Sequence, residues 1–497
     1  MNNRKTLLAF TSIAYSYLFY QQSAGINFLV FTIIVIVGML IFQPDLIKNK
    51  TWQIVAIGSV LSAGMIVFHH SNLSMIANFC SLTLLIGVSN HQDSSVYIGF
   101  LKGFVSIAFS SFKITFENFD EYILNQKKLE KKGFTIQKTT AFYIIPLLIT
   151  FVFYLLYASA NPEFGSYFQL PKDIISLQFC LFFLVGTMMS AGIYYQFFGQ
   201  QLTEWDITLP NTLIRNKQKE KKIFQLTILK VENTKGIIVF SMLNLLLLFF
   251  NFVDFSVIFS DQKLPKGLHH SAYVHQGVNT LIFSAILAIS IILYYFRANQ
   301  NFYSRNQWLK RLAYIWVFQN TLLLIGVIFK NQLYINEFGL THKRIGVYVF
   351  LILTMAGLIS TFWKVLHQKT IWFLLRKNSW FAYFLLITSS FTNWDSLIAS
   401  YNIHKASQLD VTYLLNLSDN TLPALKTLLI HPKVNLDTKV FDYTYLKENE
   451  YYKSAPIITQ RVFILKQIEA FEKQYKAKQW QSWNYADEQI FKQLNKQ

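Results

Sequence analysis

The chain has 497 residues, of which 53% are hydrophobic and only 14% charged; it carries 47 phenylalanines and a formal net charge of +19. Soluble domains carry about 25% charged residues, and a water-soluble chain could not hide this much apolar surface. Nucleic-acid binding, a common meaning of strong positive charge, is excluded because no basic soluble domain with a stacking or groove-reading motif is present. The Lys and Arg residues are instead expected in loops that set membrane orientation and meet anionic lipid.

Taken in order, apolar stretches near 7–20, 25–42, 52–68, 72–89, 139–159, 175–198, 236–255, 277–296, 312–330, 345–366 and 379–395 read as membrane segments. About 20 apolar residues at 1.5 Å each cover a ~30 Å hydrocarbon core. Arg4 and Lys5 precede the first stretch, but Tyr15, Tyr17 and Tyr20 punctuate it and Gln21–Gly25 lacks a small-x-small cleavage site. It is therefore read as a retained helix rather than a signal peptide. Val96 to Phe112 contains Gly99, Lys102, Gly103 and three serines, and is read as an interfacial helix. The expected fold is all-α: a polytopic helical membrane bundle of about eleven spans (range 10–13) over 1–395, with a small helical extramembrane domain over 396–497.

Charge fixes the expected orientation. With the N-terminus inside, 26 of the 45 Lys and Arg residues fall in the segments 1–6, 43–51, 90–138, 199–235, 297–311 and 364–378. Only six fall in the short outer loops 160–174, 256–276 and 330–344. This is the positive-inside pattern. It makes 113–138 and 199–235 basic cytoplasmic loops, where anionic lipid is the expected partner. The tail is then extracytoplasmic. Its apolar residues recur at helical spacing around 409–417, 422–430, 462–471 and 480–494. His431–Pro432 ends the second of these helices.

Ionisable residues deep in spans mark ion pathways, and the stretches above nearly lack them. Asp254 and Asp395 fall at outer ends, and Arg297 and Lys364 at inner ends where snorkelling explains them. Neutral amides remain, notably Asn244, Asn251 and the pair Gln319–Asn320. Asn244, Gln319 and Asn320 are the candidates for a substrate path, although such amides more often join neighbouring helices. The small-residue pairs Gly58/Ser62, Ser59/Ala63 and Gly186/Ser190 mark close helix contacts. An outer-face polar cluster is expected from Asp254, His269, His270, His275, Glu337 and Arg344. Gly339 is suited to a positive-φ turn and Thr341 to a helix N-cap; Glu337 is a possible partner for Arg344. Adjacent His269 and His270 cannot easily share one ion, and the step from 270 to 275 is not i, i+4. No metal or cofactor is therefore expected. Cys80 and Cys180 form no CxxC motif, and no catalytic signature such as HExxH, GxSxG or a Walker loop occurs.

Four further stretches carry a family likeness: Leu243–Asp254, Tyr273–Asn279, Tyr334–Tyr348 and Trp394–Ile403. Through them the chain resembles bacterial multi-pass membrane proteins of the domain-of-unknown-function 4153 and 4173 groups. The resemblance implies a bacterial inner membrane, hence a periplasmic tail, and transfers no reaction. The leading expectation is a non-enzymatic sensor, regulator or assembly component whose tail engages a protein partner. Its rivals are a carrier for a neutral or lipidic substrate, and an envelope enzyme using His269, His270, His275 and Glu163.

Overall fold

The computed structural model describes residues 2–89, 95–110, 150, 153–154, 157, 160–161, 177–195, 199–215, 222–259, 270–430, 434–441 and 457–496. The chain forms two compact units, 1–206 with 478–484, and 207–477 with 485–497. Most of the expected span 139–159, the loop 113–138, Glu163 and His269 lie outside the described residues.

The first unit contains α1 (Asn2–Phe19), α2 (Ile26–Phe42), α3 (Lys50–His69), α4 (Asn72–Val88), α5 (Val96–Ser110) and α6 (Leu177–Tyr194); α7 (Gly199–Thr208) runs from it into the second. Helices α3 and α4 are joined by hydroxyls and one amide. Ser59 Oγ lies 2.8 Å from Ser81 Oγ, and Asn78 Nδ2 donates to Ser59 O at 3.0 Å. The small residues singled out in sequence therefore sit at helix contacts: Gly186 faces the Tyr15 ring, and Tyr15 stacks on Phe182 at 5.1 Å. Helices α4 and α5 pack closely: a Cβ on Gly87 would stand 1.6 Å from Gly99 O and one on Gly103 1.7 Å from Thr83 O. Asp206 of α7 is fully buried and accepts from Ser95 N at 2.8 Å and from Tyr97 Oη at 3.0 Å, fixing the start of α5.

The second unit begins with α8 (Lys222–Phe259), α9 (His270–Tyr295), α10 (Gln307–Phe338), α11 (His342–Leu366) and α12 (Ile371–Ser389). The first four enclose a core of Phe240, Leu247, Ala288, Ile292, Leu309, Leu324, Leu351 and Leu358. By length and composition α3, α8, α10 and α11 can cross a membrane, while α2, α4, α5 and parts of α6 and α9 are shorter apolar helices.

The tail follows as α13 (Trp394–Lys405), α14 (Val411–Leu415), α15 (Leu422–Leu428), β1 (Lys439–Phe441), β2 (Ile457–Thr459), α16 (Gln460–Ala477) and α17 (Tyr485–Leu494). The expected tail was wholly helical; β1 and β2 add a short antiparallel pair, with Val440 opposite Ile458. Each strand has only three residues, too few for an alternation to register, although Val, Phe, Ile and Thr favour a pleated surface.

Five basic residues serve helix ends. The last carbonyls of a helix have no internal partner and carry the negative end of its dipole. Arg4 donates to Tyr194 O at the end of α6, Lys364 to Phe296 O (2.8 Å) just beyond α9, and Arg376 to Leu209 O (3.0 Å) just beyond α7. Lys426 reaches Leu494 O (2.5 Å) at the end of α17, and Arg461 reaches Leu429 O (3.3 Å) just beyond α15. Each such contact contributes about 0.3–1 kcal/mol at exposed sites and up to ~2 when partly buried. Lys364 is thus corrected from a snorkelling residue: it is 3% exposed and caps a neighbouring helix.

Candidate functional site

A polar seam runs along the contact between α8 and α10. Asn233, Asn244, Asn251 and Asp254 fall on one face of α8 because their separations of eleven, seven and three residues fit whole helical turns. At its start Gln300 Nε2 donates to Asn233 Oδ1 at 3.2 Å. Further along, Asn244 Nδ2 donates to Phe240 O at 2.8 Å and to Leu312 O at 3.0 Å, while its Oδ1 accepts from Gln319 Nε2 at 2.9 Å. Asn251 Nδ2 donates to Gln319 O at 3.1 Å. Two of the three expected path residues are therefore bonded to each other. The third, Asn320, turns back on its own helix and donates to Trp316 O at 2.7 Å. Interhelical bonds of this kind average about 0.6 kcal/mol.

The amide nitrogens of the seam are satisfied, but several oxygens are not. Asn251 Oδ1, Gln319 Oε1 and Asn320 Oδ1 are buried without a hydrogen-bond partner, as is the donor Trp316 Nε1. A buried acceptor left unpaired costs about 1–3 kcal/mol.

Beyond Asn251 the seam ends in an ion pair. Lys330 Nζ contacts Asp254 Oδ1, with the two side chains 11% and 6% exposed. Sequence reading put Lys330 in an outer loop. Instead α10 continues as helix to Phe338 and holds the ammonium in its penultimate turns. One residue further, Asn331 Nδ2 donates to Arg344 O at 3.1 Å, linking α10 to the start of α11.

The α10–α11 turn then joins the tail. Gly339 closes α10 with φ +80° and ψ −179°, and Thr341 caps α11 by accepting from Arg344 N at 3.4 Å. Arg344 supplies the other cap: its guanidinium donates to Phe338 O at 2.9 Å and to Gly339 O, and lies 4.0 Å from the Tyr334 ring centroid. The residue expected to pair with Glu337 thus terminates α10. Asn402 of α13, 5% exposed, brackets Leu340 by accepting from its N–H at 2.5 Å and donating to its carbonyl at 2.9 Å. The same junction is apolar beneath: Ile335, Leu340 and Ile345 share one core with Ile398, Leu414, Leu422, Leu425, Phe463 and Ile464 of the tail.

A third link is titratable. His342 Nε2 lies 2.5 Å from Asp395 Oδ1, and Ser418 N donates to Asp395 Oδ2 at 3.2 Å. Burial pushes the Asp395 carboxyl up, but the hydrogen bonds from His342 and Ser418 outweigh it and hold the group below the usual carboxylate range. A carboxylate with a depressed folded-state pKa contributes stability that is fully present above its unfolded value of about 3.9 and is lost as pH falls through the folded value. Asp395→Asn is therefore expected to lower stability by about 0.5–1 kcal/mol near neutral pH, the range of a partly exposed pair. Thermal melts of the two proteins should converge in acid; a gap that stays constant from neutral pH to below pH ~3 would rule out this linkage.

The structure thus brings Asn244, Gln319, Asp254 and Arg344 onto one continuous line and adds Asn251, Lys330, Asn331 and Asn402 to it. His270 and His275 belong to the first turns of α9, and the positions of their side chains lie outside the described residues. Among the described residues no group of three His, Cys, Asp or Glu is arranged to hold a metal. Lys330 and Asn402 escaped sequence reading because their partners lie 76 and 62 residues away.

The long apolar helices, joined by buried amides and capped by basic residues, define a helical membrane protein. The chain belongs to the family described as Domain of unknown function (DUF4153), whose model matches residues 7–428. The matched region includes the whole seam, the junction and α13–α15. No curated protein and no solved structure matches the chain.

Proposed function

We propose that this protein is a non-enzymatic sensor, regulator or assembly component of the bacterial inner membrane, with its N-terminus in the cytoplasm and a periplasmic tail that engages a protein partner. The observation that carries this reading is the division of labour within the tail. One face shares its core with the α10–α11 turn, so a force on the tail is felt by two apolar helices. Another face leaves large apolar side chains in the open: Ile430, Ile457, Val462 and Leu465 are 82%, 59%, 41% and 51% exposed. Arg461, bonded to Leu429 O, holds the first of these near the others. The orientation is supported by which segments meet. In the second unit the basic segments contact one another, through Arg297 with Glu232 and Arg376 with Asn211, while the α10–α11 turn is bracketed by Asn402 of the tail.

The test is a photo-crosslinking residue at Leu465 in living cells. A discrete protein adduct is expected, and it should vanish in Ile457→Glu with an unchanged melting temperature. Cross-links to lipid or to no protein at all would end this reading.

A second reading, a carrier for a neutral or lipidic substrate, is favoured by the unpartnered oxygens of Asn251, Gln319 and Asn320 in the seam. These acceptors suit a hydroxyl- or amine-bearing molecule.

A further inference from the structure

We infer that Trp480 and Trp483 form an anchor that seats the segment 478–484 in the headgroup layer of the bilayer. The segment is pinned to the turn between α1 and α2. Ile26 N donates to Trp483 O at 2.8 Å, Ser23 N to Ser482 Oγ at 2.9 Å, Ser482 Oγ to Gln22 Oε1 at 2.8 Å, and Gln22 Nε2 to Gln479 Oε1 at 2.9 Å. That turn leads into the apolar helix α2, and a turn at the end of an apolar helix is placed where hydrocarbon gives way to water.

The docking sorts the side chains of the segment. Gln481, Ser482 and Asn484 are buried toward the turn, whereas Trp480 and Trp483 point away and remain 53% and 40% exposed. Trp480 lies 6.3 Å from the ring of Tyr17, itself 62% exposed two residues before the end of α1. An exposed tyrosine near the end of α1 and an indole beside it thus share one level. Indole combines an apolar body with one N–H donor, which suits the headgroup boundary better than either water or hydrocarbon. Lys476 and Lys478 lie immediately before the indoles in sequence and add positive charge where lipid phosphates stand. The occupant of this aromatic surface is therefore lipid, whichever leaflet faces it and whatever the tail binds elsewhere.

The chain has two cysteines, both free, so Cys80→Ser and Cys180→Ser give a background for single spin labels. Labels placed by Trp480→Cys, Trp483→Cys, Tyr17→Cys and Leu465→Cys would be compared in nanodiscs of mixed phosphatidylcholine and phosphatidylglycerol. At 480 and 483 the label should be reached several-fold more readily by oxygen than by a water-soluble nickel chelate, as at 17 and in contrast to 465. Access to the chelate equal to that at 465 would overturn the anchor, and so would shielding from both reagents, which would mean a protein surface covers the site. In protein with its native cysteines, Trp480→Phe with Trp483→Phe should remove part of the fluorescence quenched by lipid brominated near the headgroup. Unchanged quenching in that folded variant would also overturn the proposal.

Discussion

Lys330→Met is expected to destabilise the protein by about 3–5 kcal/mol, because it leaves the Asp254 carboxylate buried without its cation. The pair stands where water cannot replace the lost partner, with both side chains about nine-tenths buried. The comparison that isolates this effect is the double variant Asp254→Leu with Lys330→Met. Removing both charges removes the desolvation penalty together with the attraction, so the double variant should lie within about 1–2 kcal/mol of the parent. Chemical or thermal unfolding in a fixed detergent measures both. If the single variant is no less stable than the double, the pair is not holding α8 to α10 in the way described.

The second large effect is at Gly339, where Gly339→Ala is expected to cost about 2–4 kcal/mol. Two causes combine. A φ of +80° with ψ near 180° is a region that side-chain-bearing residues scarcely enter. A Cβ there would also stand 2.6 Å from Asn402 Oδ1, the atom that accepts from Leu340 N. The clash therefore opens the junction itself, and the expected signature is local. Protease sensitivity should appear in the 406–410 region at temperatures where α8–α11 still resist digestion. Uniform loss of protection across the chain would show instead that the turn has no separate role.

Several helices were legible in the sequence to within a few residues, although α8 begins fourteen residues before its apolar stretch and α10 runs eight beyond its own. Ile26–Phe42, Lys50–His69, Asn72–Val88 and His342–Leu366 nearly coincide with the apolar stretches that announced them. Their ends were legible too where a cap is local. Thr341 accepts from Arg344 N three residues on, and Gly339 takes its positive φ in the turn just before it. The number of helices that cross is set less firmly, since four meet the length and composition required and others are shorter.

Composition and the spacing of apolar residues by themselves determined a helical membrane protein, because the solvent a segment prefers and the turn it must make are properties of a few consecutive residues. Tertiary structure alone decided how the polar residues are used. Arg4 and Lys364 look like inner-end charges in sequence and Arg344 like a partner for Glu337, yet each closes the end of a helix. Asn244, Gln319, Lys330 and Asn402 each look isolated, yet each meets a partner more than sixty residues away. Hydrogen bonds and ion pairs reach only about 3 Å, so which polar groups meet is fixed by how the helices pack, and no local window of sequence contains that distance.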